Sequence, residues 1–173
     1  LGFGRHGPST SLGTNGEGGE IIFGEPVEAE GREYFRLGAL EVSPDGKLLA
    51  TLADYDGSER FELRVRDLAT GKDLETVTKV GIGQPVWTSD STGIVFNEVN
   101  DNWRSYRARY HRLGHPTEED VTLYEESEEL GFSVGVAKSK DDSLIFISTG
   151  DNATSEVRFV SAADPTQPLH LIS

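Results

Sequence analysis

From Glu20 onward, short runs of β-branched, aromatic and aliphatic residues alternate with turn residues, and no stretch carries apolar residues at helical spacing. The pattern predicts an all-β domain over residues 20–173. Within it one phrase recurs. Val42-Ser43-Pro44-Asp45-Gly46-Lys47-Leu48-Leu49-Ala50 reads as a strand end, a tight turn and a second strand, with Pro44 presetting its dihedral and Gly46 free to take positive φ. Trp87 to Phe96 repeats the phrase around Asp90, and Ala137 to Phe146 repeats it around Asp141, where Ser139 opens the turn two residues ahead. Asp45, Asp90 and Asp141 stand 45 and 51 residues apart.

A second landmark keeps step with the first. Phe61 to Arg66, Ser105 to Tyr110 and Glu156 to Val160 each read as the third strand of a unit, and Val65, Tyr110 and Phe159 are 45 and 49 residues apart. Each unit then closes on a loop and a last strand: Leu74 to Val80, Val121 to Glu125, and Leu169 to Ser173. Four short strands per unit at this period are the signature of a β-propeller blade. The expected blades are residues 34–80, 81–126 and 130–173, and Glu20 to Gly24 is expected to be the outermost strand of a preceding blade. Propellers close into rings of roughly four to eight blades, so three blades form an open wedge. Such a wedge either self-associates through its exposed blade faces or is part of a larger ring. A chain that starts at Leu1 and holds no methionine strengthens the expectation of a piece of something longer.

Composition narrows the partners. Residues 1–19 are rich in glycine, serine and threonine without periodicity, and read as a flexible leader or linker. The formal net charge is -14, a sign that repels a phosphate backbone, so nucleic acid is not an expected partner. Cysteine is absent, which excludes thiol catalysis and cysteine-ligated metal sites and fits a reducing, cytoplasmic location. No long apolar span or signal-peptide pattern points to a membrane.

The segment Arg32-Glu33-Tyr34-Phe35-Arg36-Leu37-Gly38-Ala39-Leu40-Glu41-Val42-Ser43-Pro44-Asp45-Gly46 resembles the oligopeptidase B branch of the prolyl oligopeptidase family of serine peptidases. The likeness continues through Asp56 to Gly71, with its Asp67-Leu68-Ala69-Thr70-Gly71 turn, and through Val86-Trp87, Asp90-Ser91, Tyr124-Glu125-Glu126 and Thr154 to Val157. It runs from about Glu20 to the C-terminus and leaves out residues 1–19. The resemblance implies a serine endopeptidase in which a seven-bladed propeller caps a C-terminal α/β-hydrolase domain. Members of this branch cleave short peptides after Arg or Lys, and the propeller restricts substrates by size. The Ser, Asp and His of that family lie in the hydrolase domain, so the resemblance assigns no catalytic, cofactor or metal residue here and implies an inactive chain within an active parent.

Several constellations carry competing readings. Gly131-Phe132-Ser133-Val134-Gly135 matches a nucleophile elbow, but an elbow needs a helix after the serine, whereas the repeat makes this the innermost strand of the third blade. Gly2-Phe3-Gly4-Arg5-His6-Gly7 fits a dinucleotide fingerprint only by spacing, without strand or helix around it. His111 and His115 read as loop histidines beside a Gly-Pro turn rather than as zinc ligands. Asp54, Asp56 and Glu59 around Gly57 read as a solvated turn and not as a calcium loop, since the strand resumes at Phe61. Glu118-Glu119-Asp120, Glu125-Glu126 and Glu128-Glu129 read as a solvated acidic edge, with attraction of cationic peptides as the functional alternative. Asn152-Ala153-Thr154 reads as a turn, and Trp87 and Trp103 as blade-packing residues. Two alternatives stand beside the peptidase reading: a free-standing binding module, and a small hydrolase using Ser133 with His111 or His170.

Overall fold

A computed structural model describes residues 21–127, 129 and 131–172. Its strands fall into three successive antiparallel groups. The first holds β1 (Arg36–Val42), β2 (Leu48–Asp54), β3 (Phe61–Asp67) and β4 (Asp73–Val80). The second holds β5 (Val86–Trp87), β6 (Gly93–Val99), β7 (Ser105–Arg112) and β8 (Val121–Glu125), and the third β9 (Ser133–Lys138), β10 (Leu144–Gly150), β11 (Ser155–Ser161) and β12 (His170–Leu171). In each group sequential strands are neighbours, running from an inner strand outward. The architecture is that of three propeller blades. A single bridge, Val80 to Glu98, joins the ladders of the first two blades.

The repeated phrase folds into one repeated hydrogen-bond pattern. Ser43 Oγ donates to Asp45 Oδ1 at 2.7 Å, Asp45 Oδ1 accepts the Lys47 amide, and Ser43 Oγ accepts the Leu48 amide at 2.9 Å. Thr88 with Asp90 and Ser139 with Asp141 repeat these bonds in the other two blades. A hydroxyl and a carboxylate two residues apart thus satisfy the amides that the turn takes out of the ladder.

Blades pack face to face, so β2 and β6 are buried on both sides. Ala50, Leu52, Phe61, Leu63 and Val77 of the first blade meet Trp87, Ile94 and Phe96 of the second. On the opposite face Val86 and Val95 meet Ile145 and Val160 of the third. The alternation of Ile94, Val95 and Phe96 between the two interfaces is the period-two geometry of a strand. Fully burying each such side chain contributes roughly 1.5–3 kcal/mol, which makes the interblade seams the main source of stability.

Ile21 to Gly24 form no strand, contrary to the expectation for Glu20 to Gly24, of which Glu20 lies outside the described residues. They lead instead into α1 (Glu25–Glu28), with Pro26 in its first turn. Proline lacks the amide a ladder needs but suits a helix start. Arg66 of β3 fixes the turn, pairing with Glu28 at 2.6 Å and with Asp73 at 2.7 Å. Beside it Tyr55 lies between the guanidinium groups of Arg32 and Arg64, each 4.2 Å from the ring centre, and covers the outer face of the first blade.

Candidate functional site

The three inner strands converge. Trp87 Nε1 on β5 donates to the Glu41 carbonyl on β1 at 3.2 Å, and Lys138 on β9 lies 3.6 Å from the Glu41 carboxylate. Gln84 also donates to Glu41. One residue of β1 therefore ties all three blades at their inner edges. Where these strands end, a cleft of about 390 Å³ opens between the repeated turns, floored by Val42, Val86 and Trp87 and rimmed by Lys138, Asp141 and Asp142. The Asp142 carboxylate accepts from the Lys138 ammonium at 3.1 Å, an ion pair that raises the lysine's pKa and keeps it protonated. Asp141 is held down to about 2 by hydrogen bonds from Ser139, Ser143 and the Ser143 amide, so it is an anion at neutral pH. The cleft offers an apolar floor and fixed charges of both signs, a surface for positioning rather than for proton transfer.

A second concentration of charge occupies the outer half of the seam between the first two blades. Strand pairing sets Ile94 opposite His111, Phe96 opposite Arg109 and Glu98 opposite Arg107, so one face of the second blade passes from apolar to ionic on going outward. Glu98 accepts from both arginines. His111 lies buried in β7, with Nδ1 2.6 Å from Asp120 and Nε2 2.7 Å from Glu75 on β4. Burial opposes its charge, but the two carboxylates outweigh this and raise its pKa above the ordinary value. Burial pushes Asp120 up, against the pull of His111 and Arg109.

Several side chains differ from their sequence reading. His111 is a strand residue in the core and not a loop histidine, whereas His115 is exposed beside Glu119. In the acidic edge, Glu118, Glu119, Glu125 and Glu129 are exposed, but Asp120 and Glu126 are buried, and Glu128 lies outside the described residues. Glu126 accepts from Thr149 of the third blade at 2.7 Å and from Tyr124 at 2.8 Å, which keep its pKa low and link the second seam. Asp54 is wholly buried and accepts the amides of Asp56, Gly57 and Glu59, so it is a structural cap within the turn that Asp56 and Glu59 share. Trp87 packs in the core, but Trp103 is 55% exposed, stacked on Arg60 and bonded to the Ser58 carbonyl. Asp54 finds its partners within its own turn, but His111, Glu126 and Trp103 depend on Glu75, Thr149 and Ser58 from other strands, loops or blades, which local sequence does not mark.

The other motifs fall as the strands dictate. Ser133 opens β9, paired with Gly150, and a strand follows it. His170 sits three strands away on β12, roughly 14 Å at ordinary strand spacing, and stacks on Phe159. Both nitrogens of His111 are engaged by carboxylates, so neither histidine serves Ser133 as a base. Asn152 to Thr154 form an exposed turn between β10 and β11. Gly2 to Gly7 lie outside the described residues. Among the described residues no group of three His, Asp or Glu side chains is placed to hold a metal ion, and no helix is long and apolar enough to cross a membrane.

Comparison with known proteins identifies the architecture. The family described as prolyl oligopeptidase, N-terminal beta-propeller domain, matches residues 7–173. The chain belongs to this family. The match begins at Gly7, earlier than the resemblance visible from Glu20 onward. A dipeptidyl aminopeptidase BI of Pseudoxanthomonas mexicana is 32% identical over 152 residues, covering 86% of this chain and 20% of that protein. A protease 2 of Moraxella lacunata is 30% identical over 155 residues, covering 88% and 22%. Among solved structures, oligopeptidase B of Trypanosoma brucei with covalently bound antipain superposes with a TM-score of 0.81 at 25% identity over 96% of this chain and 23% of its own. Oligopeptidase B of Leishmania major shares the fold with a TM-score of 0.84, at 23% identity over 95% of this chain and 23% of its own. The chain thus spans about a fifth of the length of these relatives, within the N-terminal propeller of a peptidase family.

Proposed function

We propose that the chain is part of the propeller of an oligopeptidase B-like serine endopeptidase, one that cleaves short peptides after Arg or Lys in the cytoplasm. In this reading the propeller scaffolds a C-terminal α/β-hydrolase domain and filters substrates by size. The observation that carries it is the convergence of β1, β5 and β9 on Glu41, which builds a rigid inner wall with fixed charges from three blades of a peptidase-family propeller. A net charge of -14 also favours approach of cationic peptides. Nucleophile, base and oxyanion donors come from the hydrolase domain, so the chain by itself is inert.

The test compares the chain with a longer protein that includes a hydrolase domain, using a fluorogenic Arg peptide and a covalent serine-directed probe. The reading expects hydrolysis and labelling in the longer protein alone, with Ser133→Ala leaving both unchanged. Labelling of the chain that disappears in Ser133→Ala overturns it.

A further inference from the structure

We propose that His111 is a doubly donating cation that latches the outer half of the first blade onto the second, and that its deprotonation releases the latch. A neutral imidazole carries one N–H and one lone pair. Here both ring nitrogens face carboxylate oxygens, Asp120 at 2.6 Å and Glu75 at 2.7 Å, and a lone pair cannot face an ionised carboxylate at that distance. An imidazolium donates to both, and the short distances are those of charge-assisted bonds. The two acids come from different blades: Glu75 from β4, and Asp120 from the approach to β8.

The surroundings make the cation the hinge pin of this corner. Glu75 also accepts the amide of Gly114, so one carboxylate holds both the ring and the loop that follows β7. Asp120 is shared with Arg109, at 3.7 Å, and Arg109 is shared with Glu98 of β6, at 3.3 Å. His115 and Glu119 pair at the surface of the same loop, beyond the buried ring. Once the imidazole is neutral, either Glu75 or Asp120 loses its donor. Arg109 remains to neutralise Asp120, whereas Glu75 keeps only the uncharged Gly114 amide, so Glu75 is the acid that turns away from the ring and strains the contact between β4 and the Gly114 loop. The raised pKa of His111 places this event above the ordinary histidine value of 6.5.

The sign follows from linkage. A group whose pKa rises on folding contributes fully below its unfolded value, and the contribution fades as pH climbs toward its folded value. Protection of the Gly114 and β4 amides, normalised for intrinsic exchange, is therefore expected to fall about tenfold per pH unit between about 6.5 and the folded-state titration of His111.

The test uses the chain with ring-labelled histidine; its four histidines keep the spectrum simple. Nitrogen NMR at neutral pH is expected to show both His111 nitrogens protonated, and hydrogen exchange to show the pH-dependent loss at Gly114 and β4. Glu75→Gln, a partly exposed and isosteric change, is expected to lower the His111 midpoint by about one unit and flatten the exchange profile. A neutral His111 tautomer at pH 7, or normalised protection that does not change with pH in the wild type, overturns the proposal. If Glu75→Gln fails to fold, the two wild-type measurements decide.

Discussion

Gly38 offers a sharp test of the packing argument, because its place in β1 depends on a neighbour and not on its own backbone. It falls where the β1–β2 register shifts between Leu37 and Ala39. A Cβ added there would lie 2.7 Å and 3.0 Å from ring atoms of Phe61 and 3.3 Å from the Leu52 carbonyl. Carbon atoms in contact prefer about 3.5–4.0 Å, so the methyl intrudes by close to 1 Å. Phe61 is 1% exposed and packs within the first seam, which resists displacement of its ring. Gly38→Ala should therefore cost about 1–3 kcal/mol, the usual range for overpacking. Phe61→Leu removes the offending ring atoms at a cost of about 1–2 kcal/mol of buried area. Combined, the two should cost at least about 1 kcal/mol less than their sum, since the methyl then fills space the ring has left. Urea unfolding of the four proteins measures this, with unchanged m-values confirming a common two-state transition. Additivity within about 0.5 kcal/mol, or a Gly38→Ala protein as stable as wild type, refutes the argument.

Two further expectations follow from the turns. Asp54→Ala removes the acceptor of the Asp56, Gly57 and Glu59 amides and should lower stability by about 1–3 kcal/mol, while calcium or a chelator leaves the wild-type melting temperature unchanged, since backbone amides already engage both carboxylate oxygens. Asp141 should titrate at about 2 by carboxyl-carbon NMR and move up toward the ordinary value in Ser139→Ala. Because its pKa is lowered on folding, its contribution is present above about 3.8 and disappears as pH falls through 2.

The turns were legible because their chemistry is local. A hydroxyl two residues ahead of Asp45, Asp90 or Asp141 closes each turn within a handful of residues, and the recurrence at 45 and 51 residues follows from one blade repeating another. The segment before α1 was not legible, since Ile21 to Phe23 have strand composition and only Pro26 and the distant Arg66 decide against a strand. Trp103 illustrates the converse: its size suggests a core residue, but its place in the β6–β7 loop with φ 59° leaves it on the surface.

The amino-acid sequence by itself determined the all-β class, the period, the order of strands within a blade and the sign of the field around the molecule. Each of these depends on neighbours in the chain or on a sum over it. The tertiary structure alone decided which charges are buried. His111 and His115, four residues apart and identical in kind, end in the core and in solvent because β7 turns one toward Glu75 and the loop carries the other outward. Asp120 and Glu126 separate from the exposed Glu118 and Glu125 in the same way. Burial of a charge requires partners of the right chemistry at under 3 Å. Those partners come from other strands and adjoining blades, so only the assembled wedge could reveal them.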